Sequence, residues 1–353
     1  MSKQSSNGGA QMKKKLAIIG AGIAGLACAR QLVQQGHEVV VFEKSRGPGG
    51  RMPTRWLDRD ASPPVGFDHG TQYFQAASPA FVDLISRAQQ AGAVAPWAGN
   101  VVNLGYGISS PHVSGTTRWV GTPGMASLGR FMAHGLDVRL QCRVAGVVRR
   151  DGVYQLTLHL ADGSVRVESG FDAVVSGMPA EQVAQLFDES HPPLASLASS
   201  VKSNVTWSVM LTPREAVKVD FDGAFVVDSP LGWICRDSSK PGRAMGDRWV
   251  LQATADWSRQ HQDYAADEVA KMLLDVFCNV TGQLIDDPLA LTAHRWLYSL
   301  PSNPLGMPCF FSEEHMLGAC GDWLTGARVE DAFLSGHTLG HQLLNALDST
   351  LIQ

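Results

Sequence analysis

Residues Lys15 to Glu43 read KLAIIGAGIAGLACARQLVQQGHEVVVFE. Leu16-Ala17-Ile18-Ile19 is a short apolar run, the length of a buried parallel strand. Gly20, Gly22 and Gly25 follow as Gly-x-Gly-x-x-Gly. Ile23 to Gln35 carries helix formers, and Gly36 stops them. Val39 to Phe42 is a second apolar run, closed by Glu43. Strand, glycines, helix, strand and acid in that order predict a βαβ unit with a dinucleotide fingerprint. Gly20 permits the tight turn, Gly22 lets backbone approach a pyrophosphate, and Gly25 lets helix and strand pack closely. The amides of Ile23 and Ala24 open the helix at its positive end and are candidate phosphate donors. Glu43, 18 residues beyond Gly25, is placed to accept hydrogen bonds from a ribose 2′-OH.

The remaining composition narrows the class. A chain of 353 residues holds one large or two modest domains. Hydrophobic residues make up 44% and charged ones 18%, which is enough apolar material for a sizeable core. The net charge is -4, and no long basic run follows Lys13-Lys14-Lys15. Neither nucleic acid nor an anionic membrane is therefore expected as a partner. No run approaches the roughly 18 apolar residues of a membrane span. Six cysteines lie scattered without a Cys-x-x-Cys pair, the pattern of free thiols in a reducing, cytoplasmic compartment. The lysines before the first apolar run imitate a signal peptide. Cleavage at Ala27-Cys28-Ala29 would remove the first strand and all three glycines, so a cytosolic strand is the reading taken. Residues 1–11 are small and polar, as in a disordered or appended leader, with Met12 as a candidate start.

Directly after Glu43 stands Lys44-Ser45-Arg46-Gly47-Pro48-Gly49-Gly50-Arg51-Met52. Paired glycines let a loop lie against a ligand, and Arg51 supplies a fixed cation for a pyrophosphate. The two motifs together resemble the FAD-binding half of the flavin amine oxidase superfamily, which shifts the expected cofactor from NAD to FAD. The resemblance implies contacts from Lys44, Arg46, Gly50, Arg51 and Met52. It extends to Phe67-Asp68-His69-Gly70-Thr71-Gln72-Tyr73-Phe74, similar to the superfamily segment that passes beside the isoalloxazine ring. Thr71, Gln72 and Tyr73 are its candidate contacts, with Tyr73 also lining the substrate face. Val144, in a strand-like run from Val138 to Val148, is placed at the adenine. Late in the chain, Gly321-Asp322 ends a strand, and a helix follows from about Val329. Asp322 would accept from ribityl hydroxyls, and the helix start at Val329 would face the flavin pyrimidine oxygens.

The fold expected is α/β, with a Rossmann-like FAD-binding domain (parallel sheet, helices and a β-meander) and a second α+β substrate domain. The FAD-binding domain is read as discontinuous, over 12–76, 117–190 and 290–353. The substrate domain is read over 77–116 and 191–289, with His191-Pro192-Pro193 marking a crossing. His337 and His341 share a helix face, but a third ligand is not apparent, so no metal is expected.

From Leu16 to about Leu344 the chain resembles the renalase family, in its bacterial branch. The carrying segments include Arg118-Trp119-Val120-Gly121-Thr122-Pro123-Gly124-Met125, Trp249-Val250-Leu251-Gln252-Ala253-Thr254, Ala293-His294-Arg295-Trp296 and Cys320-Gly321-Asp322-Trp323. The resemblance implies oxidation of off-pathway 2- or 6-dihydro isomers of NAD(P)H to NAD(P)+, with electrons passed to O2 to give hydrogen peroxide. A monomer or weak dimer is expected. Trp296 matches an active-site tryptophan of that family. Tyr73, Gln252 and Trp296 are the candidate catalytic residues. Gln252 departs from the pattern, since relatives carry His there; Gln can still donate to and accept from a carboxamide. The alternative is an amine oxidase. Monoamine oxidases carry a Lys in the strand entering the substrate domain, and Asn204-Val205-Thr206-Trp207-Ser208-Val209 holds none. They also tether FAD to a late cysteine. Cys309 lacks those surroundings and Cys320 sits in the strand before Gly321-Asp322, facing structural packing, so non-covalent FAD is expected.

Overall fold

The computed structural model describes residues 13–105, 107–113 and 115–349. The leader 1–11 and Met12 lie outside them. The first sheet has six strands, in the order Phe310–Ser312, Leu317–Ala319, Ala173–Ser176, Lys15–Ile19, Glu38–Phe42 and Asp137–Arg139. All pair in parallel except the first with the second. The apolar run of the fingerprint is thus flanked on both edges, and Leu16 to Ile19 are at most 3% exposed. Their alternation splits two layers. Leu16 and Ile18 enter a core shared with helix Ile23–Gln34 and the C-terminal helix Val329–Ser349. Ala17 and Ile19 enter a second core under the meander Cys142–Arg150, Val153–Leu160 and Val165–Phe171. This is the α/β Rossmann-like arrangement read from the sequence.

The two helices touch at backbone distance, because Gly336 faces the first turn of Ile23–Gln34. A Cβ at Gly336 would overlap the Ala24 carbonyl oxygen. Gly336→Ala should therefore cost about 1–3 kcal/mol through overpacking, seen as a lower urea midpoint at unchanged slope.

The second sheet has seven strands, in the order Ala290–Trp296, Thr206–Thr212, Trp249–Ala253, Leu231–Arg236, Gly223–Val226, Val101–Gly105 and Ile108–Pro111. Helix Ala266–Thr281 buries Val269, Leu273 and Phe277 against Val209, Trp249 and Leu251. Its apolar spacing is that of an amphipathic helix.

Four boundaries differ from the sequence reading, each for a local reason. The run 138–148 is two strands, because Gln141 sits at φ +53 and turns the chain between sheet and meander. His191-Pro192-Pro193 does not leave the domain. Proline suits the first helical turn, and Pro192–Ser199 is a helix capped by His191 Nδ1, which accepts from Leu194 N at 3.1 Å. Leu194, Ala195 and Ala198 bury in the core beneath the meander, so the crossing falls after this helix. Ala290–Trp296 pairs with Thr206–Thr212 in the second sheet, not the first. Finally, helix Pro79–Gln90 packs on the first domain: the Phe81 and Phe333 ring centroids lie 5.1 Å apart, and Ala77 N and Ser78 N donate to Glu330 Oε1 at 3.1 and 2.5 Å.

Candidate functional site

The glycines of the fingerprint build one wall of a cleft. Gly20 takes φ +101, a conformation that favours glycine. A Cβ on Gly25 would overlap the Gly20 carbonyl, so the helix sits directly on its own turn. At Gly22 the nearest neighbour of a Cβ is 3.8 Å away, the backbone oxygen of Gly177, and Gly22 itself lines the cleft. The first intrahelical bond is Leu26 N to Gly22 O, 2.9 Å. The amides of Ile23, Ala24 and Gly25 thus lie at the positive end without helical acceptors. The cleft has a volume of about 790 Å³ and runs between the two domains.

Glu43 ends the second strand buried, 6% exposed. Its Oε2 accepts from Ala21 N at 2.8 Å and its Oε1 from Ser45 N at 2.7 Å. Two backbone donors fix the carboxylate while each oxygen keeps a lone pair for a ligand hydroxyl. Across the cleft, Arg51 Nη2 donates to Asp322 Oδ1 at 2.7 Å and Nη1 to Ser299 O at 2.9 Å. That ion pair joins residues 271 apart in the chain. Asp322 is 5% exposed, so its charge is compensated by the guanidinium. Lys44, Gly50, Met52, Thr71, Val144, Gly321 and Val329 also line the cleft, as does Trp296. A glycine-walled groove with free helix amides, a held carboxylate and a held guanidinium fits an extended dinucleotide.

Five candidates stand elsewhere. Gly25 acts through packing. Arg46 is exposed and outside the lining. Tyr73 is not on the cleft wall. Its ring centroid lies 5.6 Å from Trp233 and 6.3 Å from Trp97, under the Arg118 guanidinium. Gln252 stands behind the wall and donates to Gly70 O at 2.7 Å. Gln72 is buried, donating from Nε2 to Asp68 O at 2.5 Å and Gly70 O at 2.9 Å. Trp296 does line the cleft, and its Nε1 donates to His69 O at 3.0 Å. Three side chains therefore hold the carbonyls of Asp68, His69 and Gly70, just before Thr71 reaches the cleft.

Beneath that segment lies a buried charge cluster that no sequence signal announced. Asp68, Asp237 and Lys240 are 0–2% exposed. Lys240 Nζ donates to Asp237 Oδ1 at 2.6 Å, to Gln72 Oε1 at 3.3 Å and to Asp68 Oδ2 at 3.5 Å. Arg243 pairs with Asp68 through Nη2. Asp68 Oδ1 also accepts from Thr54 Oγ1 and Met125 N at 2.7 and 2.8 Å. Burial alone would raise the Asp68 carboxyl, but Arg243 and Lys240 hold it below its usual range. Burial likewise opposes the Lys240 charge, but Asp237, Cys235 and Asp68 together outweigh it, so the ammonium is held above its ordinary range.

His69 packs between Trp296, stacked at 5.4 Å, and His294, edge-on at 4.9 Å. Burial, and then His294, push His69 down to about 4 from 6.5. The folded state therefore holds a neutral ring where the unfolded chain takes up a proton. Its contribution is intact above pH 6.5 and is lost as pH falls towards 4, a loss of about 3 kcal/mol at full extent. Urea midpoints of wild type and His69→Asn should converge over that window; parallel curves would exclude the linkage.

Comparison with known proteins agrees with this architecture. A family model described as NAD(P)-binding Rossmann-like domain matches residues 18–88, and one described as flavin containing amine oxidoreductase matches residues 113–338. A 4,4'-diapophytoene desaturase (4,4'-diaponeurosporene-forming) of Staphylococcus aureus (strain Newman) is 58% identical over 38 residues, which span 11% of this chain and 8% of that protein. Among solved structures, an Exiguobacterium sp. 255-15 protein provisionally designated a protoporphyrinogen oxidase superposes with TM-score 0.74 at 15% identity, over 95% of this chain and 100% of that one. Cyclohexylamine oxidase from Brevibacterium oxydans IH-35A gives TM-score 0.73 at 13% identity, over 96% and 100%. At such identities these two show the shared fold.

Proposed function

The chain belongs to the flavin containing amine oxidoreductase family, an FAD-dependent oxidoreductase, and from that premise we propose a renalase-like oxidase of dihydronicotinamide isomers. Its substrate would be a 2- or 6-dihydro isomer of NAD(P)H, oxidised to NAD(P)+, with O2 as the final acceptor and H2O2 as its product. FAD, when bound, supplies the hydride acceptor and the route of electrons to oxygen. The protein's own task is then to bind, orient and exclude.

The observation that carries this reading is the character of the wall around Trp296. A flat indole lines the cleft with its N–H committed to His69 O. Lys44, at the end that begins with Glu43, is the single lysine among the described lining residues. A dihydropyridine becomes aromatic on losing hydride and needs no base, so a planar wall whose own N–H is already committed suits it. His69 behind the indole, pushed down to about 4, is a correspondingly weak base. Glu43 would take the adenosine ribose, the Ile23 and Ala24 amides and Arg51 the pyrophosphate, and Asp322 the ribityl chain. Tyr73 and Gln252 would act from behind the wall, through packing and through the Gly70 carbonyl. Anaerobic mixing with the isomers, in parallel with simple primary amines, tests the reading; flavin bleaching by amines alone would replace it with amine oxidation.

The flavin should be held without a covalent bond. Cys309 and Cys320 are buried at 6% and 0% exposure and neither lines the cleft. Burial raises both thiols, Cys309 to about 11, which suppresses the thiolate a tether would need. After acid precipitation the yellow colour should appear in the supernatant; a yellow pellet would show attachment. The same six free cysteines support a cytoplasmic setting. Among the described residues no helix is long and apolar enough to cross a membrane.

A further inference from the structure

Buried ionic clusters are costly to assemble, and each member left unpaired costs more. The cluster under residues 68–72 joins the two domains: Asp68 comes from the first, and Asp237, Lys240 and Arg243 from the second. The helical turn Asp237–Ser239 and the loop after it bring all three second-domain members together. Lys240 is fully enclosed and stands outside the cleft. Its third partner, Gln72, links the cluster to the site. One amide group ties Lys240 on its oxygen side to the Asp68 and Gly70 carbonyls on its nitrogen side. Gly70 O also takes Gln252, and the adjoining His69 O takes Trp296. Thr71 N donates to Arg51 O at 3.0 Å, so the same segment meets the residue that holds Asp322. A Cβ on Gly70 would overlap the Arg51 carbonyl, which leaves no slack at that crossing.

We propose that Lys240 and Gln72 are positioning residues: by holding the carbonyl segment 68–70, which Gln252 braces from behind, they set the Trp296 wall against the reacting ring. The proposal rests on the reading that this wall meets the substrate. Neither residue touches the cleft. Their effect belongs to alignment in the hydride-transfer step, where a small misplacement costs rate far more than affinity.

Three variants separate positioning from bulk stability. Gln72→Met keeps all four charges and cuts only the link. Lys240→Met removes the ammonium. Asp237→Asn with Lys240→Met removes one charge of each sign and relieves the unpaired carboxylate. Each holoenzyme is mixed anaerobically with whichever reductant bleaches wild type fastest, dihydro isomer or amine, and hydrogen exchange is followed over residues 68–74. Failure of the isomers with wild type thus strikes the functional reading alone. Amides of the segment should exchange at least about tenfold faster in all three variants. The limiting reduction rate should fall about tenfold or more, with substrate dissociation constants within about threefold of wild type. The double variant should recover melting temperature over Lys240→Met without recovering rate. Wild-type exchange in Gln72→Met, a wild-type reduction rate in it, or rate returning with stability in the double variant would each overturn the proposal. If Lys240→Met does not fold, the other two variants decide the matter.

Discussion

Oxidised enzyme mixed without oxygen with 2- or 6-dihydro NAD should bleach within seconds, and ordinary 4-dihydro NADH should be at least about a hundredfold slower. The ground is geometric. A hydride leaves efficiently only from a carbon held about 3–3.5 Å from its acceptor. The wall at Trp296 is fixed by a hydrogen bond to His69 O, by stacking on His69 and by the edge of His294. A rigid wall restricts the ring's registry: C2 and C6 flank the ring nitrogen and exchange places on a ring flip, whereas C4 lies on the flip axis and stays out of alignment. Trp296→Ala should slow reduction by the isomers about 10–100-fold. FAD should stay bound, since the fingerprint turn and Glu43 do not depend on the indole. Reoxidation by O2 should change little, because O2 needs no planar wall. Equal reduction rates for wild type and Trp296→Ala would remove Trp296 from the site. Faster reduction by 4-dihydro NADH than by either isomer would overturn the proposed substrate.

Arg51→Ala should weaken FAD binding by about 1.5–3 kcal/mol, roughly 10–150-fold in dissociation constant. Two losses add. A charge-assisted contact to the pyrophosphate goes, and Asp322, 5% exposed, keeps its charge without its 2.7 Å partner. Arg51→Lys should recover part of the affinity but not all of it, because one ammonium cannot span both Asp322 and Ser299 O in the fork geometry of a guanidinium. Titration of apoprotein with FAD, followed by flavin fluorescence, measures this directly. Alanine and wild-type proteins that bind FAD equally would place Arg51 in a purely structural role.

What was legible in the sequence is what is local in the chain. The turn at Gly20, the helix behind Gly25 and the acid at Glu43 lie within one βαβ unit, where each residue's role follows from its neighbours. Arg51 and Asp322 were each legible as cleft residues from their own motifs, yet their ion pair was not, since no short-range pattern relates them. The Asp68 cluster shows the same limit more sharply. Lys240 and Arg243 sit in a polar loop that carries no motif, and only the docking of two domains buries them. Tyr73 misled for a different reason. The motif brings the chain beside the cleft, but the ring is claimed by Trp97, in the loop after Val94–Pro96, and by Trp233 of the second sheet. His191-Pro192-Pro193 read as a break because prolines punctuate; the same residues also start helices, and burial of Leu194 decided between the two.

The pairing of Arg51 with Asp322 also sets a timetable for the newborn protein. Chains emerge from the ribosome at about 5–20 residues per second, so the 271 residues between the partners take roughly 15–55 s to follow. Throughout that interval the fingerprint half of the groove exists without its opposite lip, and cofactor capture must wait until Asp322 has emerged. Stalled nascent chains ending before Asp322 should carry no flavin, while chains that expose it should turn yellow on the ribosome.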